Sequence, residues 1–512
     1  MKERFPFISF LSIYTIMLYP FRIVAIVSLL LILGLGQDVD AQDDNVAATI
    51  RSAEATYHAD LTALADWCVE QERQDLADRT RALVPPQRPD RLYLLALPDK
   101  VGAIFESIDT TDPIASEWGE RINKLRRDRA YNLVVMARGA YDLNRTVLAF
   151  HLLNEALAAD PDYEMLRTLL GYEERDGYWR TKYEIEKLRR GFVPHERFGW
   201  LPEPYIARYE QGERYFEGRW MSAEQEAARR NGWAVESEHF TVQTNDSLEA
   251  GVALGHRLED LHEVWCRLFL SYVASSRQAS ALFEGRGTGI PFPNLQVAFY
   301  RDRASYLAAL RRVEPQIDQT IGMYMTTQSC SYFYPSEQPD DFRTIFHEAT
   351  HQLFQETRRT SNTAGVAENY WVTEGVALYM ESLRREGDFY VLGGFGDDVR
   401  LDAAVVRRLR DDFYIPLNEF SAWGLEDFQR DSRIATLYTQ AAGLTHFFFH
   451  AENGKHRCAF IETLDAIYAG RDDIGTLSEE SDEPYETLDA AYRAFLEDGV
   501  RYYEEVGGES AP

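Results

Sequence analysis

Cysteine is scarce in this chain: there are four in 512 residues, Cys68, Cys266, Cys330 and Cys458, far apart and with no Cys-x-x-Cys. That spacing leaves a cysteine zinc site or a thioredoxin-type redox motif without support. Cys266, in EVWCRLF, sits among apolar neighbours as a small buried hydrophobe. Histidine is rare too, at 11 residues, and no Ser-His-Asp signal accompanies it. Positive charge is in deficit, since 54 Lys plus Arg against 83 Asp plus Glu leaves a net charge of −29. A surface of that sign repels phosphate backbones and anionic headgroups, so nucleic acid is not expected as a partner. Past residue 41 no apolar run approaches the roughly 20 residues of a membrane span. What remains, 45% hydrophobic and 27% charged, is a globular composition, long enough for two or three domains.

The one long apolar stretch is at the start. FRIVAIVSLLLILGLGQDVDAQDD gives Arg22, an apolar core from Ile23 to Leu35, then Val39-Asp40-Ala41. This is the order of a secretory signal, with cleavage expected after Ala41. Residues 1–41 are therefore expected to be a leader and the mature protein to be exported, to the periplasm, the cell envelope or the medium. The membrane is a partner only if the leader stays uncleaved and anchors the chain.

Residues 42–171 read as helices. AYNLVVMARGAYDLNRTVLAFHLLNEALAADPDYEMLRTLLGY has apolar residues at helical spacing, a break near Asn144 and a stop at Asp160-Pro161. The pair resembles one tetratricopeptide repeat, which implies a surface for a protein partner; a plain helical bundle is the alternative. In 172–232 a short pattern recurs: DGYWRTKYEIEKLRRG at Asp176 and EGRWMSAEQEAARRNG at Glu217. Each predicts a tight turn feeding Trp179 or Trp220 into a core, then Thr181 or Ser222 opening a helix. A sugar-binding role for either Trp is the rival reading. From 233 to 505 strands and helices mix. Strands are expected at His239–Thr244, in LQVAFY and in TIGMYMTTQ, and helices over Ser247–Phe269 and RASYLAALRRV. SSRQASALFEGRGTGIPFPN reads as a surface loop, Asp340-Asp341 are expected in the first turn of the next helix, and 506–512 is a tail. The fold class expected is α+β.

That next helix carries RTIFHEATHQLFQE, Arg343 to Glu356. A chance His-Glu-x-x-His is expected in about one chain in fifty with so few histidines, so its neighbourhood has to decide. On a helix His347 and His351 share a face, one turn apart, and their imidazoles can fill two corners of a tetrahedral Zn²⁺ site. Glu348 is rotated by about 100°, so it flanks the metal, where it can take a proton from an attacking water. A core helix with satisfied histidines explains the apolar residues but not two His and a Glu together. A catalytic site needs a third protein ligand and an open position. Glu374, in NYWVTEGVALYMESLRRE, is the candidate, with Gly375 permitting close helix approach; the alternatives are Glu368 as the ligand, or Glu374 on a solvated face. Glu381, seven residues on, returns to the same face and can receive the second ring N–H of a ligand histidine.

His-Glu-x-x-His followed by WVTEGVALYME resembles the gluzincin zinc peptidases, the thermolysin and aminopeptidase group, over about residues 233–505. It is also similar to a bacterial family of exported proteins of unknown function that carry such a domain. The resemblance implies Zn²⁺ on His347, His351 and Glu374, Glu348 as the catalytic base, and a later tyrosine as oxyanion donor. Tyr438, in TLYTQAAGLTHFFFH, stands at the matching place, with a packing tyrosine as the alternative. His446 and His450 read as core, with a substrate-side role for one left open. The Gly-x-Met-Glu-Asn segment of the aminopeptidases is missing, and IGMYMTTQSCSY stands there instead. The expected activity is thus zinc-dependent hydrolysis inside peptide or protein chains. The rival expectation is a non-catalytic binding or scaffold protein built on a relic peptidase fold.

Overall fold

The computed structural model describes residues 39–505 apart from 84–87, 103–110, 285, 287–288, 316 and 339–340. The apolar core of the leader and the 506–512 tail lie outside the described residues. Among the described residues no helix is long and apolar enough to cross a membrane. The architecture is mixed α+β, with helices predominating over small sheets.

Helices α1 (Val39–Glu70) and α2 (Gln74–Arg81) pack with the start of α3 (Pro113–Asp142) around Leu61, Leu64, Cys68, Trp118 and Ile122. The indole of Trp118 donates to Thr80 Oγ1 at 2.8 Å, so its polar edge is satisfied inside that core. Pro113 opens α3 behind Asp112, whose carboxylate accepts the Ile114 and Ala115 N–H groups. Asn144 takes a left-handed φ of 62°, and α4 (Thr146–Ala159) folds back along α3. The pair, 113–159, is longer than the roughly 34 residues of a tetratricopeptide unit. Between α2 and α3, strand β1 (Arg91–Leu95) leaves this region to pair antiparallel with Phe389–Gly393.

Three hairpin units follow, where the Trp pattern predicts two. The strand pairs are β2 (Tyr172–Arg175) with β3 (Tyr178–Thr181), β4 (Phe192–His195) with β5 (Gly199–Pro202), and β6 (Glu213–Phe216) with β7 (Arg219–Ser222). Each pair leads into a short helix: α5 (Lys182–Arg189), α6 (Ile206–Glu210) and α7 (Ala223–Ala227). Gly177, Gly199 and Gly218 turn the three hairpins at φ of 80°, 69° and 79°. Thr181 and Ser222 cap the outer helices through reciprocal boxes with Glu184 and Gln225. The middle unit escapes the pattern because its turn is longer and its helix is entered through a 3-10 turn, Glu203–Tyr205, behind Pro202, with no Ser or Thr cap. Trp179 is buried and donates to Asp162 at 2.8 Å, and Trp220 lies under Arg208 and against Tyr205. Both are packing residues here.

Beyond them β8 (Trp233–Glu236) and β9 (Phe240–Thr244) start a five-stranded mixed sheet. Ser247 caps α8 (Leu248–Leu268), whose apolar face covers the sheet. Residues 276–283, expected as loop, form helix α9 (Ser276–Phe283). A Ser275–Gln278 capping box opens it, a local hydrogen-bond signal that the Gly/Ser composition of the stretch conceals. Strands β10 (Leu295–Phe299), β11 (Gly322–Met325) and β12 (Cys330–Phe333) complete the sheet in the order β11-β12-β10-β9-β8. TIGMYMTTQ therefore supplies a strand, as expected, and that strand lies at the sheet edge, while β8 and β12 are additional to the expected three. Helix α10 (Arg343–Glu356) lies against β11 and β12. It starts at Arg343, so Asp341 precedes the first turn and binds the Arg343 guanidinium instead, at 2.6 Å; Asp340 lies outside the described residues. Then come α11 (Tyr370–Met380), β13 (Arg384–Glu386), β14 (Phe389–Gly393), α12 (Val399–Val405), α13 (Ile434–Gly454) and α14 (Arg457–Ala469). One continuous core runs from Phe150 and Leu153 through Trp265 and Phe354 to Trp371, Tyr379 and Phe448.

Candidate metal centre

Helix α10 buries Ile345, Phe346, Ala349, Leu353 and Phe354 on one side, and that side fixes its rotation. Gln352 adds a polar tie to the sheet: it accepts from Ser331 Oγ at 2.8 Å and donates to the Gln296 carbonyl at 3.1 Å. With the helix so held, His347 and His351 are presented together at the edge of the core. Helix α11 is apolar all round and almost wholly buried, as a central helix must be. Its only charge is Glu374, at 5% exposure. A lone carboxylate in such a helix is costly unless it is paired.

Its partners are the two histidines. His347 Nε2 and His351 Nε2 are 3.2 Å apart, and the Glu374 oxygens stand 3.4 Å from the first and 3.6 Å from the second. Donors about 2.05 Å from a tetrahedral centre are about 3.3 Å from each other, so the three spacings are those of a single shared cation. The imidazole planes cross at 75°, which lets both lone pairs converge on one point. The donor set, two imidazoles and a carboxylate, suits Zn²⁺ and leaves a coordination position for water or substrate. The residues fit the metal.

Glu348 accepts the Tyr324 N–H of edge strand β11 at 2.8 Å. That bond aims the carboxylate beside the donor group rather than into it. Burial pushes the Glu348 carboxyl up from its usual range, against the pull of His347 and His351. Glu374 goes the other way: burial would raise it, but the two imidazoles hold it well below the usual carboxylate range. His347 is raised well above the ordinary imidazole value; burial opposes this, and its contacts with Glu374 and Glu381 prevail.

The Glu381 carboxylate lies 3.0 Å from His347 Nδ1. Accepting that N–H fixes the tautomer that presents Nε2 to the metal. The sequence pattern misses what lies behind it: Arg400, on the first turn of α12, donates to both Glu381 oxygens at 3.0 and 3.4 Å. Also missed is Tyr370, four residues before Glu374, whose hydroxyl accepts a hydrogen bond from Gln429 Nε2 at 3.4 Å. Burial first, then the charge of Glu374, raise both the Tyr370 and the Tyr438 phenols above the ordinary range. The i, i+4 spacing of Tyr370 and Glu374 is the signal that could have found it.

His446 and His450 are core residues, as their flanking Phe run suggests. His446 Nε2 lies 2.9 Å from Asp398, and His450 Nε2 lies 3.0 Å from the Tyr379 hydroxyl. Glu368, the alternative ligand, stands outside the group of three donors. Among the described residues one other His/Glu group is gathered, His239, Glu259 and His262. Its imidazoles stack at 3.6 Å and 14°, so no single ion can lie near both ring planes.

Residues 341–466 match the family described as "Protein of unknown function (DUF1570)". The matched stretch opens two residues before α10 and closes within α14, and so takes in all three donors, Glu348, Glu381, Arg400 and both tyrosines. No curated protein matches the chain.

Proposed function

We propose that the chain is an exported, zinc-dependent, gluzincin-like peptidase that hydrolyses bonds inside peptide or protein substrates. The observation that carries this is the convergence of His347, His351 and Glu374 with the flanking Glu348 held by the edge strand. Zinc held by those three residues would supply Lewis acidity toward a peptide carbonyl and the water that attacks it. Glu348 takes the proton from the attacking water and passes it to the leaving amine. Tyr438, with Tyr370 beside it, offers hydroxyl protons to the oxygen on which negative charge develops. Glu381 keeps His347 in its metal-binding tautomer. Export rests on the leader, and the N-terminal helices offer a face to a protein partner in the manner of tetratricopeptide repeats.

The test separates binding from chemistry. Glu348→Gln retains about one zinc per chain and loses hydrolysis of a peptide library, because the amide keeps the shape but takes no proton. His351→Ala loses the zinc, since two protein ligands hold it poorly. Equal activity in the wild type and Glu348→Gln removes the peptidase reading. Zinc binding with no hydrolysis by either protein favours the non-catalytic binding module.

A further inference from the structure

Behind His347 the contacts continue without interruption into the fold. Glu381, 8% exposed, presents one oxygen to His347 Nδ1 at 3.0 Å and its other to Arg400 Nε at 3.0 Å. Arg400 is placed by Asp398, which caps α12: its Oδ1 accepts the N–H of Arg400 at 2.7 Å and of Leu401 at 3.3 Å. The other oxygen of Asp398 meets His446 Nε2 at 2.9 Å, and His446 Nδ1 is 2.8 Å from the Ala442 carbonyl on α13. His446 and Asp398 are 0% and 4% exposed, so the far end of this chain is anchored in the core. Three elements thus converge on one imidazole.

We propose that Arg400 is a positioning residue for the metal centre: it fixes the Glu381 carboxylate so that His347 keeps its Nδ1–H engaged and its Nε2 free. The inference rests on the reading of His347, His351 and Glu374 as a metal site. A guanidinium suits the task because its planar fork meets both carboxylate oxygens at once, whereas an ammonium meets the carboxylate as a point charge. Without Arg400, Glu381 keeps a single partner and is free to turn about its side-chain torsions. The imidazole it orients then loses its fixed ring plane. Partners that touch a ligand histidine directly are worth about 10- to 100-fold in affinity, and Arg400, one residue further out, belongs at the lower end of that range. Nothing in the sequence joins Arg400 to the motif, since it comes 19 residues after Glu381 and on a different helix.

The experiment uses the full chain, its Arg400→Met and Arg400→Lys variants, and zinc alone as probe, with affinity read by chelator competition. Arg400→Met is expected to weaken zinc by about tenfold or more and Arg400→Lys to give an intermediate value. Cobalt(II) substituted for zinc should show a changed visible ligand-field spectrum in Arg400→Met, a readout that a merely structural ion pair does not move. The metal-free unfolding midpoint of Arg400→Lys should stay close to wild type, because the ammonium still faces the Glu381 carboxylate, whose side chain is 5% exposed. Wild-type zinc affinity in Arg400→Met overturns the proposal while leaving the metal site standing. Equal losses in both variants, together with a lowered metal-free midpoint, overturn it in favour of a structural role. Failure of the wild type to bind zinc overturns the site reading itself.

Discussion

Gly375→Ala is a sensitive probe of how Glu374 is placed. Gly375 follows Glu374 on α11 where that helix packs against α13. A methyl group there would overlap Thr445 Oγ1 and stand 3.0 Å from the Ala441 carbonyl oxygen. Thr445 cannot turn away freely, because its hydroxyl donates to that same carbonyl at 2.9 Å in a fully buried setting. Leaving the hydroxyl unsatisfied costs about 1–3 kcal/mol, and overpacking by one methyl costs a similar amount. Replacing glycine in a helix returns about 1 kcal/mol. The net expectation is a loss of about 3 kcal/mol, read as a lowered urea midpoint of the metal-free protein at unchanged slope. Zinc affinity should fall alongside, since separating α11 from α13 moves Glu374 relative to His347 and His351. The double variant Gly375→Ala/Thr445→Ala removes the overlap with the hydroxyl and should recover part of both losses, as expected for residues in contact. A Gly375→Ala protein as stable as wild type, or stabilised by its helix propensity, refutes the close approach of α11 and α13.

Two further expectations concern pH and the bond cut. Burial first, then a hydrogen bond and charge from Glu480, push the Glu462 carboxyl up to about 8 from 4.5. The folded state therefore holds a proton that the unfolded state releases, so this group's contribution is fully present below about pH 4.5 and is lost as pH rises toward 8. Glu462→Gln should flatten that decline in thermal midpoint, and an unchanged pH profile would remove Glu462 as its source. N-terminally acetylated peptides should be cut internally, because the β11 segment carries no acidic anchor for a free amino terminus. Mass spectrometry that finds single-residue trimming, abolished by acetylation, would show that another acid such as Glu368 supplies the anchor.

The parts of the centre that follow helical spacing were legible in the sequence. His347 and His351 four apart, and Glu374 and Glu381 seven apart, need only 3.6 residues per turn to be placed. Arg400 and the Tyr324 N–H could not be read this way, because each reaches the site through tertiary packing. The Tyr324 contact is also a backbone bond, to which side-chain identity is blind. The same division runs through the fold. Thr181 and Ser222 announce their helices because a cap is a local hydrogen bond. The Pro202 entry to the middle unit announces nothing of the kind. Helix α9 lies in a Gly/Ser-rich stretch whose composition favours a loop, and the Ser275–Gln278 box is the local signal that marks its start.

The pairing of β1 with β14 sets a time order on the chain. Arg91 meets Gly393 about 300 residues later, and closing a loop of that length costs about 5 kcal/mol before any contact in the ladder repays it. During synthesis β1 must wait, with Leu92 and Leu94 unpaired, until the ribosome has delivered His347, His351 and Glu374 as well. Cut the chain after β1 and the reverse happens: β14 becomes a bare edge open to pairing with another molecule. The N-terminal strand is thus a late-closing seam, and a fragment limited to residues 341–466 would lack it.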